Sequence, residues 1–333
     1  MVSRPDGGSG KAGTRTRKMS QMKAAVLVEM GAPPRFSDFA DPVAGPGQTV
    51  VDVTAAGVHH VDLAKASGLF YTGPPIVPSV MGSDGVGRTA DGHRVFFDSL
   101  VPPYGSWAQH ALVPEAELLD PADGVSDVVA AALGNTGLAA WLALSWSARL
   151  QPGESVLVLG TGALGMIAVQ AAKAQGAAYV IAADRDPGRL ELARERGADV
   201  VVTIAPGTDL AAAFSEAAGE HGINVIIDPL WGDPAFAAMQ AASHGARYVQ
   251  LGNSAASTVE LPAAVVRSRA LHLLGFAVFY VPLEPRREAY RNLTEQAARG
   301  AITVDTIQLP LSDVVNAWEQ QRRGAHGKLV LTP

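Results

Sequence analysis

The sequence predicts an α/β protein that combines a β-rich, barrel-like domain with a doubly wound parallel sheet. Two patterns lead to this prediction. Short apolar runs separated by Pro- and Gly-rich turns occupy residues 22–113, as in a domain built mainly of strands. Strand-like and helix-like segments then alternate from residue 155 to residue 275, which is typical of a parallel sheet covered by helices.

The first part of the chain is predicted to contain short strands and one short helix. We predict strands at residues 23–30, Gln48–Gly57, 94–98 and 107–113, and a helix at residues 59–68. A longer helical segment, residues 126–150, leads into the second part. Residues 1–21 are rich in Gly, Ser, Arg and Lys without an apolar period, and they predict a disordered basic arm or a leader.

A glycine-rich turn, GTGALG, joins the strand Ser155–Leu159 to a helix predicted at residues 163–175. Gly160 permits the tight turn, Gly162 lets the backbone approach a pyrophosphate, and Gly165 lets the helix pack closely on the strand. The N-terminus of the helix supplies unpaired N–H donors and a partial positive charge. The turn therefore predicts a dinucleotide site, with candidate contacts at Gly160, Gly162, Ala163, Leu164 and Gly165.

The second strand of this unit, residues 179–183, leads directly to Asp184. A carboxylate here accepts hydrogen bonds from the ribose hydroxyls of NADH and repels the 2′-phosphate of NADPH. Arg185 and Arg189 follow, and either guanidinium would instead pair with that phosphate. We predict NADH or NADPH as the cofactor, with NADH preferred.

The alternation of helices and strands continues to the end of the chain. Helices are predicted at residues 187–196, 209–218, 234–243, 285–299 and 312–323. Strands are predicted at residues 200–204, 223–228, 246–252, 271–275, 303–310 and 328–331.

Composition limits the classes of function. The chain has 333 residues, enough for two domains, and 48% hydrophobic with 17% charged residues is typical of a globular protein. The formal net charge of −6 gives no general attraction to nucleic acid or anionic membranes. The absence of cysteine excludes disulfides, thiolate nucleophiles and cysteine-ligated zinc. No segment resembles a signal peptide or a membrane span, so we expect a cytoplasmic protein.

Several motifs resemble the medium-chain dehydrogenase/reductase superfamily over residues 22–333. They are MKAAVL, AAGVHHVD, PSVMGSDGVG, PPYGSWAQHALVP and LPLSDVVNAWEQQRRGAHGKLVL, and they occur in the family's order. The resemblance implies a GroES-like catalytic domain at residues 22–140 and 276–333, and a Rossmann domain at residues 141–275. It also implies a site in the cleft between the domains, and we expect a homodimer that binds a small-molecule substrate.

Zinc alcohol dehydrogenases of this superfamily bind a catalytic zinc, and the resemblance identifies the corresponding positions here. The first cysteine ligand falls at His59, the histidine ligand at Ser83 and the last cysteine near Asn135. Serine and asparagine are poor zinc ligands, so we predict a protein without zinc. The threonine that relays protons falls at Val61, which carries no exchangeable proton. The chain therefore looks like the quinone oxidoreductase and enoyl-reductase branch.

Without a metal, a side chain has to provide the proton that follows hydride transfer. The candidates are His59, His60, Tyr71, Asp84 and Tyr104. The histidines are equally well interpreted as capping or packing residues at a helix start, and the tyrosines as rim or structural contacts. For Asp84 two interpretations remain open: it pairs with an arginine, or its carboxylate holds a cationic, iminium-like substrate.

The resemblance also places residues at the nicotinamide pocket, namely Thr136, Gly252, Asn253 and Phe276. The predicted activity is zinc-independent, NAD(P)H-dependent reduction of a small activated C=C bond, quinone or imine. The alternatives are a metal-free alcohol or carbonyl dehydrogenase and a non-catalytic dinucleotide-binding protein, since this branch includes lens crystallins.

Overall fold

The computed structural model describes residues 20–71 and 73–333. Most of the predicted arm, residues 1–21, lies outside these ranges. Its last residue, Gln21, is already the first residue of a strand, so the prediction extended too far at that end. Within the described ranges, no helix combines the length and the apolar composition needed to cross a membrane.

The strands and helices of the described residues are numbered in chain order. The strands are β1 (Gln21–Leu27), β2 (Arg35–Ala40), β3 (Gln48–Gly57), β4 (Ser79–Val80), β5 (Gly85–Arg88), β6 (Arg94–Phe97), β7 (His110–Pro114), β8 (Ser155–Leu159), β9 (Tyr179–Asp184), β10 (Val200–Thr203), β11 (Val225–Asp228), β12 (Arg247–Gln250), β13 (His272–Gly275), β14 (Thr306–Pro310) and β15 (Lys328–Thr332). The helices are α1 (His60–Ala66), α2 (Asp127–Ala132), α3 (Asn135–Leu142), α4 (Ala163–Ala174), α5 (Pro187–Glu195), α6 (Leu210–Ala218), α7 (Gly232–Ala241), α8 (Ala263–Arg269), α9 (Leu283–Ala298) and α10 (Val314–Arg323). A π-helix occupies Ala143–Ala148, and short 3-10 helices occupy Glu115–Glu117, Gly219–His221, Val278–Tyr280 and Leu311–Asp313.

The second part of the chain forms a six-stranded parallel sheet in the order β10-β9-β8-β11-β12-β13. Both faces of the sheet are covered, as the central strand β8 shows. Val156 and Val158 belong to a core cluster that includes α4, whereas Leu157 and Leu159 pack in another cluster with Phe214 of α6. Burial on both faces explains why the last four residues of β8, VLVL, are all apolar. The predicted doubly wound fold is confirmed.

Strands of the first part form a three-stranded sheet, β2-β1-β4, and, together with β14 and β15, a six-stranded sheet in the order β14-β15-β3-β5-β6, with β7 also paired to β3. The last strand, β15, is antiparallel to β3, with Val330 opposite Gly57. The two ends of the chain therefore build one sheet. Strand β2 has no counterpart in the sequence prediction, because most of its residues are exposed or half-buried and it shows no apolar run.

The helix predicted at residues 126–150 is wrong as a single element. The structure breaks it at Gly134 into α2 and α3, and a π-helix follows α3. A side chain at Gly134 would overlap the Asp84 carboxylate and the Phe96 ring, so only glycine fits this close approach. The break brings the first backbone N–H of α3, that of Asn135, to Asp84.

A buried ion pair fastens α9 to the N-terminal sheets. The Arg286 guanidinium donates to Asp98 at 2.6 Å and to Glu117 at 2.7 Å. Burial raises the pKa of Asp98, although the Arg286 charge opposes that rise. The pair therefore depends on both partners, because either charge alone would remain buried without compensation.

We expect Arg286→Met to lower the free energy of unfolding by about 3 kcal/mol, because it leaves Asp98 buried without its cation. The matched control is Arg322→Met on α10, whose ion pair with Glu319 lies at the surface. We expect the control to change stability by about 0.5 kcal/mol or less. Urea unfolding of both variants measures the difference, and equal losses would contradict this role of Arg286.

Candidate active site

His59 lies between β3 and α1, and its side chain is buried. The ring nitrogen Nε2 lies 2.7 Å from Asp84 Oδ1, and Nδ1 lies 3.0 Å from the Thr136 hydroxyl. Three separate segments therefore meet at one imidazole: the end of β3, the turn before β5 and the first turn of α3. Two of the predicted catalytic residues and one predicted nicotinamide-pocket residue come together here.

Lys328, the first residue of β15, completes this group. Its side chain is only 4% exposed, and its Nζ lies 2.8 Å from His59 Nδ1 and donates to the Val58 carbonyl at 2.5 Å. Burial lowers the pKa of Lys328 to about 8, although Asp84 and Asp62 oppose the shift. Lys328 was not among the site residues predicted from the sequence. Its signal was a lysine directly before the apolar run LVL of β15.

A single hydrogen lies between Lys328 Nζ and His59 Nδ1. Two N–H donors cannot point at each other, so Nδ1 either accepts from the Lys328 amine group or donates to it. Because the Asp84 carboxylate can only accept, Nε2 carries a hydrogen and donates it to Asp84 in either case. Burial alone would raise the pKa of Asp84, but the charge and hydrogen bond of His59, the charge of Lys328 and the Asn135 amide lower it. The positive charge shared by the pair compensates the Asp84 carboxylate.

A second chain of hydrogen bonds holds the start of α1. The His59 backbone N–H donates to Asp62 Oδ2 at 2.8 Å, and the Ser83 hydroxyl donates to Asp62 Oδ1 at 2.6 Å. Lys65 Nζ in turn donates to Ser83 at 3.0 Å. Ser83 therefore connects α1 to the turn before β5.

These residues do not fit a catalytic zinc. Both ring nitrogens of His59 already have partners, the Ser83 hydroxyl donates to Asp62, and Asn135 meets the site through its backbone N–H. In the described part of the chain, no group of three or more His, Cys, Asp or Glu side chains is placed to hold a metal ion.

Asp84 requires a correction of the sequence interpretation. Its carboxylate is completely buried. One oxygen accepts a hydrogen bond from His59, and the other accepts from the backbone N–H of Asn135 at 2.6 Å. It pairs with a histidine rather than an arginine, and it has no exposed oxygen with which to hold a cationic substrate. Its role in this geometry is to orient the imidazole.

The structure places the other three catalytic candidates differently. His60 begins α1 beside this hydrogen-bonded group. Desolvation lowers the pKa of His60 most, and the charges of Lys328 and His59 lower it further. Tyr71 is 63% exposed and lies against the Phe70 ring, outside the hydrogen-bonded group. Tyr104 donates to the Asp41 carbonyl, and its ring contacts that of Phe39, so its contacts are structural.

The GTGALG turn has the geometry that a dinucleotide requires. Gly160 has a φ of +79°, in the left-handed region that favours glycine. A side chain at Gly165 would overlap the Gly160 carbonyl oxygen, so this position needs glycine for close packing. The space next to Gly162, at the start of α4, contains no protein atom within 4 Å of an added Cβ. This open space before a helix N-terminus fits a pyrophosphate.

Asp184 ends β9 beside the turn and is 8% exposed. Its Oδ2 accepts from the Thr161 N–H at 2.6 Å and from the Thr161 hydroxyl at 2.8 Å, and its Oδ1 accepts from the Asp186 N–H at 3.0 Å. Asp184 therefore also holds the turn in place. Arg185 is exposed, whereas the Arg189 guanidinium donates to the Ala325 carbonyl at 3.2 Å.

The remaining pocket candidates lie near the edge strand β13. Asn253 lines a cavity of about 420 Å³ that also includes Trp231 and Tyr248. Phe276 lines a separate cavity of about 610 Å³, and its backbone N–H donates to Gln250. Gly252 packs against Pro229. Neither cavity is lined by His59 or by the glycine-rich turn.

Comparison with known proteins agrees with this geometry. A model of the zinc-binding dehydrogenase family matches residues 163–299. The quinone oxidoreductases of Pongo abelii and Homo sapiens are 29% and 28% identical to this chain, and each match covers 93% of this chain and 97% of the relative. The structure of a quinone oxidoreductase from Thermus thermophilus, also determined in complex with NADPH, is 30% identical with a TM-score of 0.80, and the match covers 94% of this chain and 100% of that one. The chain therefore belongs to the quinone oxidoreductase-like branch of the medium-chain dehydrogenase/reductase superfamily and is an NAD(P)H-dependent oxidoreductase.

Proposed function

We propose that this oxidoreductase reduces a small activated C=C bond, a quinone or an imine without zinc. The observation that carries the proposal is the His59 ring, whose nitrogens are engaged by Lys328 and Asp84 and are not available to a metal. An acceptor at such a site must delocalise the added electron pair within its own structure, as conjugated alkenes and quinones do. The relatives named as quinone oxidoreductases support the same class of acceptor.

The residues of the second domain bind and orient the cofactor, which supplies the hydride when it is bound. Gly162 leaves space for the pyrophosphate, and the unpaired N–H groups of the first turn of α4 face that space. Thr161 and Asp184 fix the turn through their hydrogen bonds. Because these contacts already exist in the protein, binding requires little reordering of this segment.

Gly162→Val should raise the dissociation constant of the cofactor at least about tenfold, or about 1.4 kcal/mol, because the branched side chain fills the pyrophosphate space. Fluorescence titration with NADH and NADPH measures the change. Ala263→Val, at the exposed first residue of α8, is the matched control and should bind normally. A folded Gly162→Val protein with wild-type affinity would show that the dinucleotide does not bind at this turn.

The choice between the two cofactors depends on the charge at the end of β9. Asp184 fixes a carboxylate beside the turn, and a 2′-phosphate placed next to it would be repelled. The exposed Arg185 directly follows it and carries the opposite charge. We therefore propose NADH as the preferred cofactor. Because Arg185 is present and the Thermus thermophilus relative was determined in complex with NADPH, activity should be measured with both cofactors.

The experiment that tests the proposed function is steady-state oxidation of NADH and NADPH with a panel of enones, quinones and imines. We expect turnover, with kcat/KM higher for NADH by about tenfold or more, and a loss of that preference in Asp184→Ser. The control Arg185→Ala should leave the preference unchanged. A wild-type preference for NADPH that disappears in Arg185→Ala would contradict the assignment of NADH. Simple aldehydes and ketones are added to the panel, and NAD(P)H oxidation confined to them would favour the dehydrogenase alternative. No oxidation with any acceptor would favour the non-catalytic one.

We also propose a homodimer in the cytoplasm, with a small-molecule substrate and neither nucleic acid nor membrane as partner. The edge strand β13 supports the dimer, because among the described residues its outer backbone edge pairs with no further strand of the six-stranded sheet, and Leu273 on it is 44% exposed. Unpaired edges of this kind associate with a second edge. A sedimentation mass near the 34.5 kDa of one chain would contradict the dimer.

A further inference from the structure

Lys328 is a buried cation that neither the fold nor the proposed hydride transfer explains. Isolated charges are rarely buried, because desolvation strongly disfavours the charged form. A methionine or leucine would continue the apolar pattern of β15 without that cost. The lysine is tolerated because Asp84 lies on the other side of His59 and supplies the opposite charge. The combination stores one proton on two nitrogens.

This proton can leave the Lys328–His59 pair through the Thr136 hydroxyl, a group that can both donate and accept a proton. His59 Nδ1 lies 3.0 Å from the Thr136 hydroxyl, which is half-buried at the start of α3. The other route, through Nε2, ends at the completely buried Asp84. Val61 also has no proton to pass. A hydroxyl can receive a proton on its oxygen while it releases its own, which makes Thr136 suited to a relay.

We propose that Lys328 is the proton reservoir of this site, and that its proton reaches the reduced substrate through His59 Nδ1 and the Thr136 hydroxyl. The inference rests on the proposed function. Hydride addition forms a C–H bond and moves the π electrons of the acceptor onto its oxygen or α-carbon. That electron pair takes the Thr136 hydroxyl proton. Lys328 passes one proton to Nδ1, and Nδ1 donates it in turn to the Thr136 oxygen. Lys328 becomes a neutral amine, and a proton from water restores its charge.

The relay predicts a pH dependence. With the pKa of Lys328 lowered to about 8, chiefly by burial, the reservoir is filled below that pH and empties above it. Titratable side chains of α1 and of the turn before β5 face the ammonium, whereas β14, with the sequence TIQLP, contributes none. The side chains that contact the Lys328 ammonium or interact with its charge are His59, His60, Asp62 and Asp84.

The test compares kcat across pH 6 to 10 in the wild type, Lys328→Met and Thr136→Val. We expect kcat of both variants to fall by a factor of order 10² at neutral pH, and the decline above about pH 8 to disappear in Lys328→Met. Thr136→Ser keeps the hydroxyl and should recover most of the rate. Lys23→Met, at an exposed lysine paired with Asp38, is the control and should behave as the wild type. Cofactor affinity measured by fluorescence should be unchanged in Lys328→Met.

Two results would overturn the relay. One is a normal kcat in Lys328→Met with the decline above pH 8 retained. The other is a Thr136→Val protein as active as Thr136→Ser. If the wild type turns over no acceptor, the proposed function fails, and with it the relay.

Melting experiments then test the buried cation on its own. The folded-state pKa of Lys328 is below the unfolded value of about 10.4, so the wild type should gain stability relative to Lys328→Met between about pH 8 and pH 10. A difference in melting temperature that stays constant over this range would contradict the buried, stored proton.

Discussion

The imidazole of His59, held between a buried lysine and a buried aspartate, is the interaction on which the rest of the site depends. It brings together the beginning of the chain, the end of the chain and the helix that leads into the parallel sheet. Each charge alone would be strongly disfavoured in this interior, and each is compensated by the other through the ring. The three elements are therefore fixed in one arrangement by electrostatics as well as by packing.

Two features of the backbone make this arrangement possible. Strand β15 returns to pair with β3, which places Lys328 beside the residues that follow Gly57. The glycine at 134 lets the start of α3 approach Asp84, so that one backbone N–H completes the hydrogen bonds of the carboxylate and Thr136 reaches the ring. The site is thus built where β15 pairs with β3, while the glycine-rich turn lies separately between β8 and α4.

The sequence predicted those parts of the molecule that depend on local patterns. The bounds of β3 and β8 agree with the structure, and the glycines of the turn have the predicted geometry, because both follow from residues adjacent in the chain. Lys328 could not be found in this way, since it lies 269 residues from His59 and its role comes from a tertiary contact. The break at Gly134 was missed for the same reason: the neighbours that require glycine there are Asp84 and Phe96.

We propose that the positive charge beside His59 belongs to the Lys328 ammonium and not to a metal ion. Elemental analysis of protein produced with added zinc, and purified without chelators, tests it most directly. We expect far less than one zinc per chain and unchanged NAD(P)H oxidation after treatment with a chelator. One zinc per chain, together with loss of activity on chelation, would contradict it.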